Sequence, residues 1–210
     1  MPGCRIDHLA IVAPTLQAGS DALYAQLGVR PQAGGQHARM GTHNLLLRLG
    51  EAVYLEVIAI DPEAPAPARP RWFGLDALAA DAPPRLACWV ARTDDVVEAA
   101  AAVLLGEVLP MSRGTLDWRI TVPADGSLPL GGAAPTLIQW DTAAHPAAAL
   151  PDLGCTLVAL ELQHPEPQRL QALLARLGVA EPAVALSVRM AHTPGLLAQV
   201  RTPAGLRTLG

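Results

Sequence analysis

Apolar positions recur along this chain in three weakly related units. Each is a short strand-like run, a polar turn and a helical stripe that ends at a glycine. The first unit reads HLAIVAPTLQAGSDALYAQLGV and the second LACWVARTDDVVEAAAAVLLGEV. The third, more degraded, reads VALELQHPEPQRLQALLARLGV. At helical spacing Leu16, Leu23 and Leu27 share one face of the first helix, and Leu170, Leu173, Leu174 and Leu177 one face of the third. Gly28, Gly106 and Gly178 are placed for the left-handed position that closes a helix. Thr93 or Asp94 is placed to cap the second helix, and Pro167 to start the third.

The segments between the helices predict strands. In unit one a strand follows Gly28, a second covers Asn44–Leu49 and a third Ala52–Asp61, which makes the unit β-α-β-β-β. Unit two offers a comparable series: a helix to Leu105, then strands at Leu116–Ala124 and Pro135–Asp141. Unit three ends in AVALSVRM and GLLAQVRTP, a partial β-α-β-β unit. The expected class is α+β, with paired βαβββ modules forming curved sheets around a groove. The modules span residues 5–61 and 86–145, and the partial unit 150–210. That partial unit would extend a neighbouring sheet, cap an exposed edge, or supply a dimer contact. Residues 62–85 form a proline-rich linker or flap. Its Trp72, Phe73 and Leu75 are too apolar for a bare linker, so they pack back over the body or seal a homodimer contact.

Strand parity selects what faces the groove. Ile6, His8, Ala10 and Val12 point one way and Leu9 and Ile11 the other. Tyr54, Glu56 and Ile58 share a face opposite Val53, Leu55 and Val57. The cleaner apolar sets meet the helices, so His8, Tyr54 and Glu56 face the groove. A buried carboxylate needs a partner, and a metal, His8 or Arg48 would supply one to Glu56. Imidazole with carboxylate suits zinc, iron or manganese. A His–Glu hydrogen bond that only organises the groove, or direct contact with an organic ligand, remains open beside it. The stretch Gly34–Asn44 gathers His37, Thr42, His43 and Asn44, either as a polar turn or as a groove rim where His37 and Asn44 orient a substrate. Asp117, Trp118 and Arg119 alternate, so either Trp118 or the Asp117/Arg119 pair faces inward. Arg119 there clamps a carboxylate or makes a solvent-facing salt bridge. Trp140 is a floor for a flat ligand or a core residue.

Composition narrows the partners. Net charge is -4, and the fifteen basic residues, all arginine, form no stripe, which argues against nucleic acid. Cys4, Cys88 and Cys155 are far apart, form no metal or disulfide framework, and fit a reduced cytoplasmic setting. No apolar run is long enough for a membrane span, and no signal peptide is expected.

IDHLAIVAP, GGQH, GTHNLLLRLG, YLEVIAID, DWRIT, and LIQWD followed by HP resemble the glyoxalase-like domain branch of the vicinal-oxygen-chelate superfamily. The resemblance covers nearly the whole chain and is most specific over residues 5–61. It implies paired βαβββ modules around a groove that often holds a divalent metal. Members include glyoxalase I, extradiol dioxygenases, epimerases and metal-free drug-binding proteins of the bleomycin-resistance type. In the metal-using members each module gives a ligand from its first and last strands. Carried over, unit one supplies His8 and Glu56, while unit two offers Leu86 and Gln139. Leucine cannot ligate, so His37, His43 or another loop group would have to complete a site for zinc, iron, manganese or nickel. The resemblance thus implies a metal-dependent lyase, isomerase or dioxygenase acting on a small oxygenated metabolite. Its metal ligands would be His8 and Glu56, and its catalytic residues Glu56 and His37. Asn44, His43, Arg119, Trp118, Gln139 and Trp140 would line the substrate. The alternative it implies is a metal-free small-molecule-binding protein.

Overall fold

The computed structural model describes residues 3–210. The first module consists of β1 (Arg5–Val12), α1 (Leu16–Leu27), β2 (Gln32–His37), β3 (Thr42–Arg48) and β4 (Tyr54–Ile60). A short helical segment at Trp72–Ala77 leads into the second: β5 (Arg85–Arg92), α2 (Val96–Val103), β6 (Glu107–Arg113), β7 (Leu116–Val122) and β8 (Thr136–Trp140). After α3 (Pro146–Ala149) come β9 (Thr156–His164), α4 (Pro167–Leu177), β10 (Ala185–Met190), β11 (Gly195–Thr202) and β12 (Gly205–Leu209).

The two modules share one curved sheet in the order β2-β3-β4-β1-β5-β8-β7-β6. Each module pairs its first strand with its last in parallel, and antiparallel pairing of β1 with β5 fuses the two. The expected modules and groove are therefore present. β6 is not predicted by the pattern, because Pro110 breaks its apolar run. At the edge of the sheet that proline forfeits no ladder bond. The stretch Gly34–Asn44 is a strand hairpin rather than a loop, with only residues 38–41 in the turn.

Caps largely follow the sequence. Gly28 (φ 72) and Gly178 (φ 60) close α1 and α4 in the left-handed conformation, and Pro167 starts α4. In α2 the cap is Asp95, whose side chain accepts from the Glu98 N–H at 2.9 Å, rather than Thr93 or Asp94. Left-handed closure there falls on Leu104 (φ 54), a conformation that costs a non-glycine residue about 1–2 kcal/mol. Gly106 serves a different need. A Cβ on it would lie 2.6 Å from the carbonyl carbon of Val122.

The third unit has one strand more than expected, since β12 forms a hairpin with β11. Its sheet, β10-β9-β11-β12, stays separate from the large one. It neither extends that sheet nor caps its edge. Leu157, Leu160 and Val200 instead join Leu9, Leu55 and Trp89 in a core on the helix-bearing face. On the opposite face Ala10, Val12, Ile58, Cys88, Ile120 and Ile138 build the groove wall. Cys88 is a buried core thiol, as a cysteine among apolar neighbours usually is. Parity holds except at Ile6, which sits with Leu9 and Ile11 on the helix side. Trp72, Phe73 and Leu75 are buried against the body of their own chain on the groove side, and the segment that carries them is the flap.

Candidate functional site

A β-bulge builds the site. Ile6 pairs with Ala91 and His8 with Val90, which leaves Asp7 as the extra residue. The bulge turns Ile6 to the helix side and brings Asp7 beside its neighbour, with Asp7 Oδ1 2.6 Å from His8 Nδ1. Asp7 is fully buried. Its Oδ2 accepts from Trp140 Nε1 and from His145 Nε2, both at 2.9 Å, and Arg92 Nη1 lies 3.8 Å away. Burial pushes the Asp7 carboxyl up, but the bonds from His145 and His8 outweigh it and hold the group well below the usual carboxylate range. Asp7 therefore acts as an acceptor only, which assigns a proton to His8 Nδ1 and to His145 Nε2. His145 fits that tautomer, since its Nδ1 accepts from the Ala147 N–H at the start of α3.

With Nδ1 committed, His8 turns Nε2 toward Glu56, 3.7 Å from Oε2. The His8 ring stacks on Tyr54, centroids 4.5 Å apart, which fixes its plane. Glu56 Oε1 accepts a 2.6 Å bond from Asn44 Nδ2. Asn44 Oδ1 accepts in turn from the Gly35 N–H at 2.9 Å and from Arg113 Nη1 at 3.1 Å. These contacts fix which end of the amide is which. His37 Nδ1 bonds Thr42 Oγ1 at 3.0 Å, and its Nε2 faces Asn44 Nδ2 and Arg113 Nη1, both at 3.4 Å, with Glu56 Oε1 at 4.0 Å. Arg113 makes no ion pair within 4.0 Å among the described residues. His8, His37, Tyr54, Glu56, Arg113 and four large rings (Trp72, Phe73, Trp118 and Trp140) thus line one cavity of about 20 Å³. That is room for about one water.

Burial drives the His37 imidazole down from 6.5 to about 4; Glu56 pulls it up and Arg113 adds to the drop. Its folded pKa lies below its unfolded one, so the unfolded chain binds the extra proton between those values. Stability is fully present above pH 6.5 and is lost as pH falls toward about 4. The loss should reach roughly 3 kcal/mol. Urea unfolding across that window should show it, and His37→Asn should flatten the slope. An unchanged slope in the variant would remove His37 as its source.

The structure brings together only part of the residue set suggested by sequence. His8, Glu56, His37, Asn44, Trp118 and Trp140 meet around the cavity. His43 lies on the other face of β3, its Nδ1 4.0 Å from Asp61. Arg119 forms a bidentate pair with Asp141, 2.8–3.1 Å, at the surface and outside the cavity. Gln139 Oε1 accepts from the Val96 N–H, the first of α2, beside the Asp95 cap. Leu86 belongs to the helix-side core. Arg48 bonds the Gly50 carbonyl rather than Glu56. Asp7 and Arg113 are the residues that spacing did not reveal.

Residues 6–178 match the glyoxalase-like domain family. No curated protein matches the chain by sequence. Among solved structures it is similar to a hypothetical protein from Staphylococcus aureus, with 12% identity and a TM-score of 0.63 over 91% of this chain and 88% of that one. That likeness is one of fold. A Mn(II)-bound glyoxalase from Novosphingobium aromaticivorans is more remote, with 9% identity and a TM-score of 0.47 over 97% and 80% of the two chains. So is a methylmalonyl-CoA epimerase from Streptomyces coelicolor, with 19% identity and a TM-score of 0.43 over 66% and 98%. With two fused βαβββ modules enclosing a groove, and a family match across most of its length, the chain belongs to the glyoxalase-like domain family of the vicinal-oxygen-chelate superfamily.

Proposed function

We propose that the groove binds a small oxygenated metabolite and that Glu56 moves a proton at the carbon beside its carbonyl, without a resident metal. The observation that carries this reading is a buried carboxylate between His8 Nε2 and Asn44 Nδ2, next to an arginine with no acidic partner. Glu56 would take the proton, with His8 Nε2 beside it as a second acceptor, and Arg113 would hold the negative oxygen that results. Asp7 would act at one remove, by fixing the tautomer and plane of His8.

The superfamily commonly uses a divalent metal, and His8 with Glu56 would supply two ligands. Catalytic zinc takes three protein ligands. A third would have to come from the space between Glu56 and His37. The Asn44 amide N–H and the Arg113 guanidinium already point into that space. Hydrogen-bond donors and a fixed positive charge disfavour a cation there. Among the described residues no three His, Cys, Asp or Glu side chains group to hold a metal. The donor set does not fit, and no step is assigned to a metal.

The test is solvent-deuterium incorporation into a panel of small carbonyl compounds, followed by NMR with and without EDTA. Exchange that persists in EDTA is expected, with no thermal stabilisation by zinc, iron(II), manganese or nickel. A bound metal whose removal abolishes exchange would overturn the metal-free assignment. The aromatic walls favour a second reading, a site that binds without catalysis. Under it a ligand raises the melting temperature and no deuterium enters.

A further inference from the structure

Trp72 lines the cavity, and its Nε1–H is enclosed with no hydrogen-bond partner among the described residues. A buried donor left unmade costs about 1–3 kcal/mol, so such groups usually have a purpose. Trp72 belongs to the flap, while Arg113 ends β6. The His37 ring touches both: its centroid lies 5.1 Å from that of Trp72, and its Nε2 lies 3.4 Å from Arg113 Nη1. Trp72 and Arg113 therefore line one small cavity, and neither has an acidic partner among the described residues.

A cavity of about 20 Å³ has room for about one water, so a larger ligand needs its walls, the flap among them, to shift. Few polar bonds hold it. The Gly74 N–H donates to the Gly126 carbonyl at 2.8 Å, Arg71 Nε reaches the Gly41 carbonyl at 3.4 Å, and Arg69 reaches Glu107 Oε2 through Nη1 at 3.3 Å and the Pro123 carbonyl through Nη2 at 3.4 Å. The closed form is also strained, because Phe73, stacked on Trp72, sits at φ 60.

We infer that the cavity, widened by movement of the flap, takes a small carboxylic acid, and that Trp72 Nε1–H donates to one carboxylate oxygen while Arg113 holds the other. This deepens the reading of the groove as a metabolite site by naming the substrate class. A carboxylate suits the pair because it offers two permanent acceptor oxygens with one negative charge. A neutral carbonyl compound would leave the charge of the arginine unpaired.

The probes are pyruvate, glyoxylate and benzoate, with pyruvamide and benzamide as neutral controls. The readout is the set of indole N–H resonances of 15N-labelled protein, with the Trp72 signal assigned by its loss in Trp72→Phe. An acid that fits should move the Trp72 signal downfield, and the amides should not. Trp72→Phe keeps the stacked ring, and should weaken binding of the acid about tenfold to a hundredfold. Arg113→Gln should weaken it at least as much. Binding of an acid with the Trp72 signal unmoved and Trp72→Phe at full affinity would overturn the flap donor. Amides binding as well as acids, or no response to any acid, would overturn the carboxylate class. Deuterium exchange with a neutral carbonyl compound would then still stand for the groove reading, so the two failures are separable.

Discussion

Asp7→Ala should lower the stability of the fold by about 3–5 kcal/mol, read as a drop in the urea midpoint with little change in slope. Three donors converge on this carboxylate: His8 Nδ1, His145 Nε2 and Trp140 Nε1, each within 2.9 Å. Alanine leaves all three buried without an acceptor, and water cannot replace the oxygens inside β1, where Asp7 is fully buried. The partners come from β1, β8 and the α3 cap, so the loss would loosen the tie between the first module and the end of the second. Asp7→Asn is the milder test. It keeps one acceptor but turns an N–H₂ toward a donor, and should fall between alanine and wild type. The carboxyl is held well below the usual carboxylate range, so its contribution is present above that range and is lost only as pH falls through the depressed folded value. That separates it from the His37 effect, which lies between pH 6.5 and about 4. An Asp7→Ala protein within about 1 kcal/mol of wild type would mean the three donors find other acceptors.

The module repeat, the helix faces and the groove-facing set His8, Tyr54 and Glu56 were legible because period 2 and period 3.6 are printed in the sequence. Asp7 was not, since a bulge breaks the parity on which such reasoning depends. Leu9, Ile11 and Val12 look the same with or without an extra residue upstream. Arg113 escaped for a related reason. Its strand carries Pro110, which reads as a breaker everywhere except at a sheet edge, and edge position is a property of topology. Arg119 was the arginine in view because its strand, LDWRITV, has unbroken alternation, yet its neighbour across the sheet surface is Asp141. The flap shows the converse. Trp72, Phe73 and Leu75 signalled burial in a proline-rich stretch, but composition alone left both their own groove and a dimer contact open. What the sequence could not provide was distance: that Asn44 and Arg113 place donors between Glu56 and His37.

Glu56→Gln should leave the fold nearly intact and reduce deuterium exchange by about 10²–10⁴-fold, the usual contribution of a positioned general base. The substitution is close to isosteric. Its amide oxygen can still accept from Asn44 Nδ2, so the chain through Gly35 and Arg113 has no reason to collapse. What disappears is the ability to take a proton while His8 faces the second oxygen from 3.7 Å. Binding responds differently. Removing the negative charge beside Arg113 relieves repulsion of an incoming anion, so an acid should bind at least as tightly to the variant as to wild type. The expected signature is a fall in rate with binding preserved or improved, which a merely unfolded or distorted site does not produce. Glu56→Asp provides the check on position, because it keeps the carboxylate but draws it back by one methylene. It should retain partial exchange if distance to the substrate matters. Should Glu56→Gln exchange deuterium at the wild-type rate, Glu56 is not the base, and the site would be a binding pocket held in shape by a polar network.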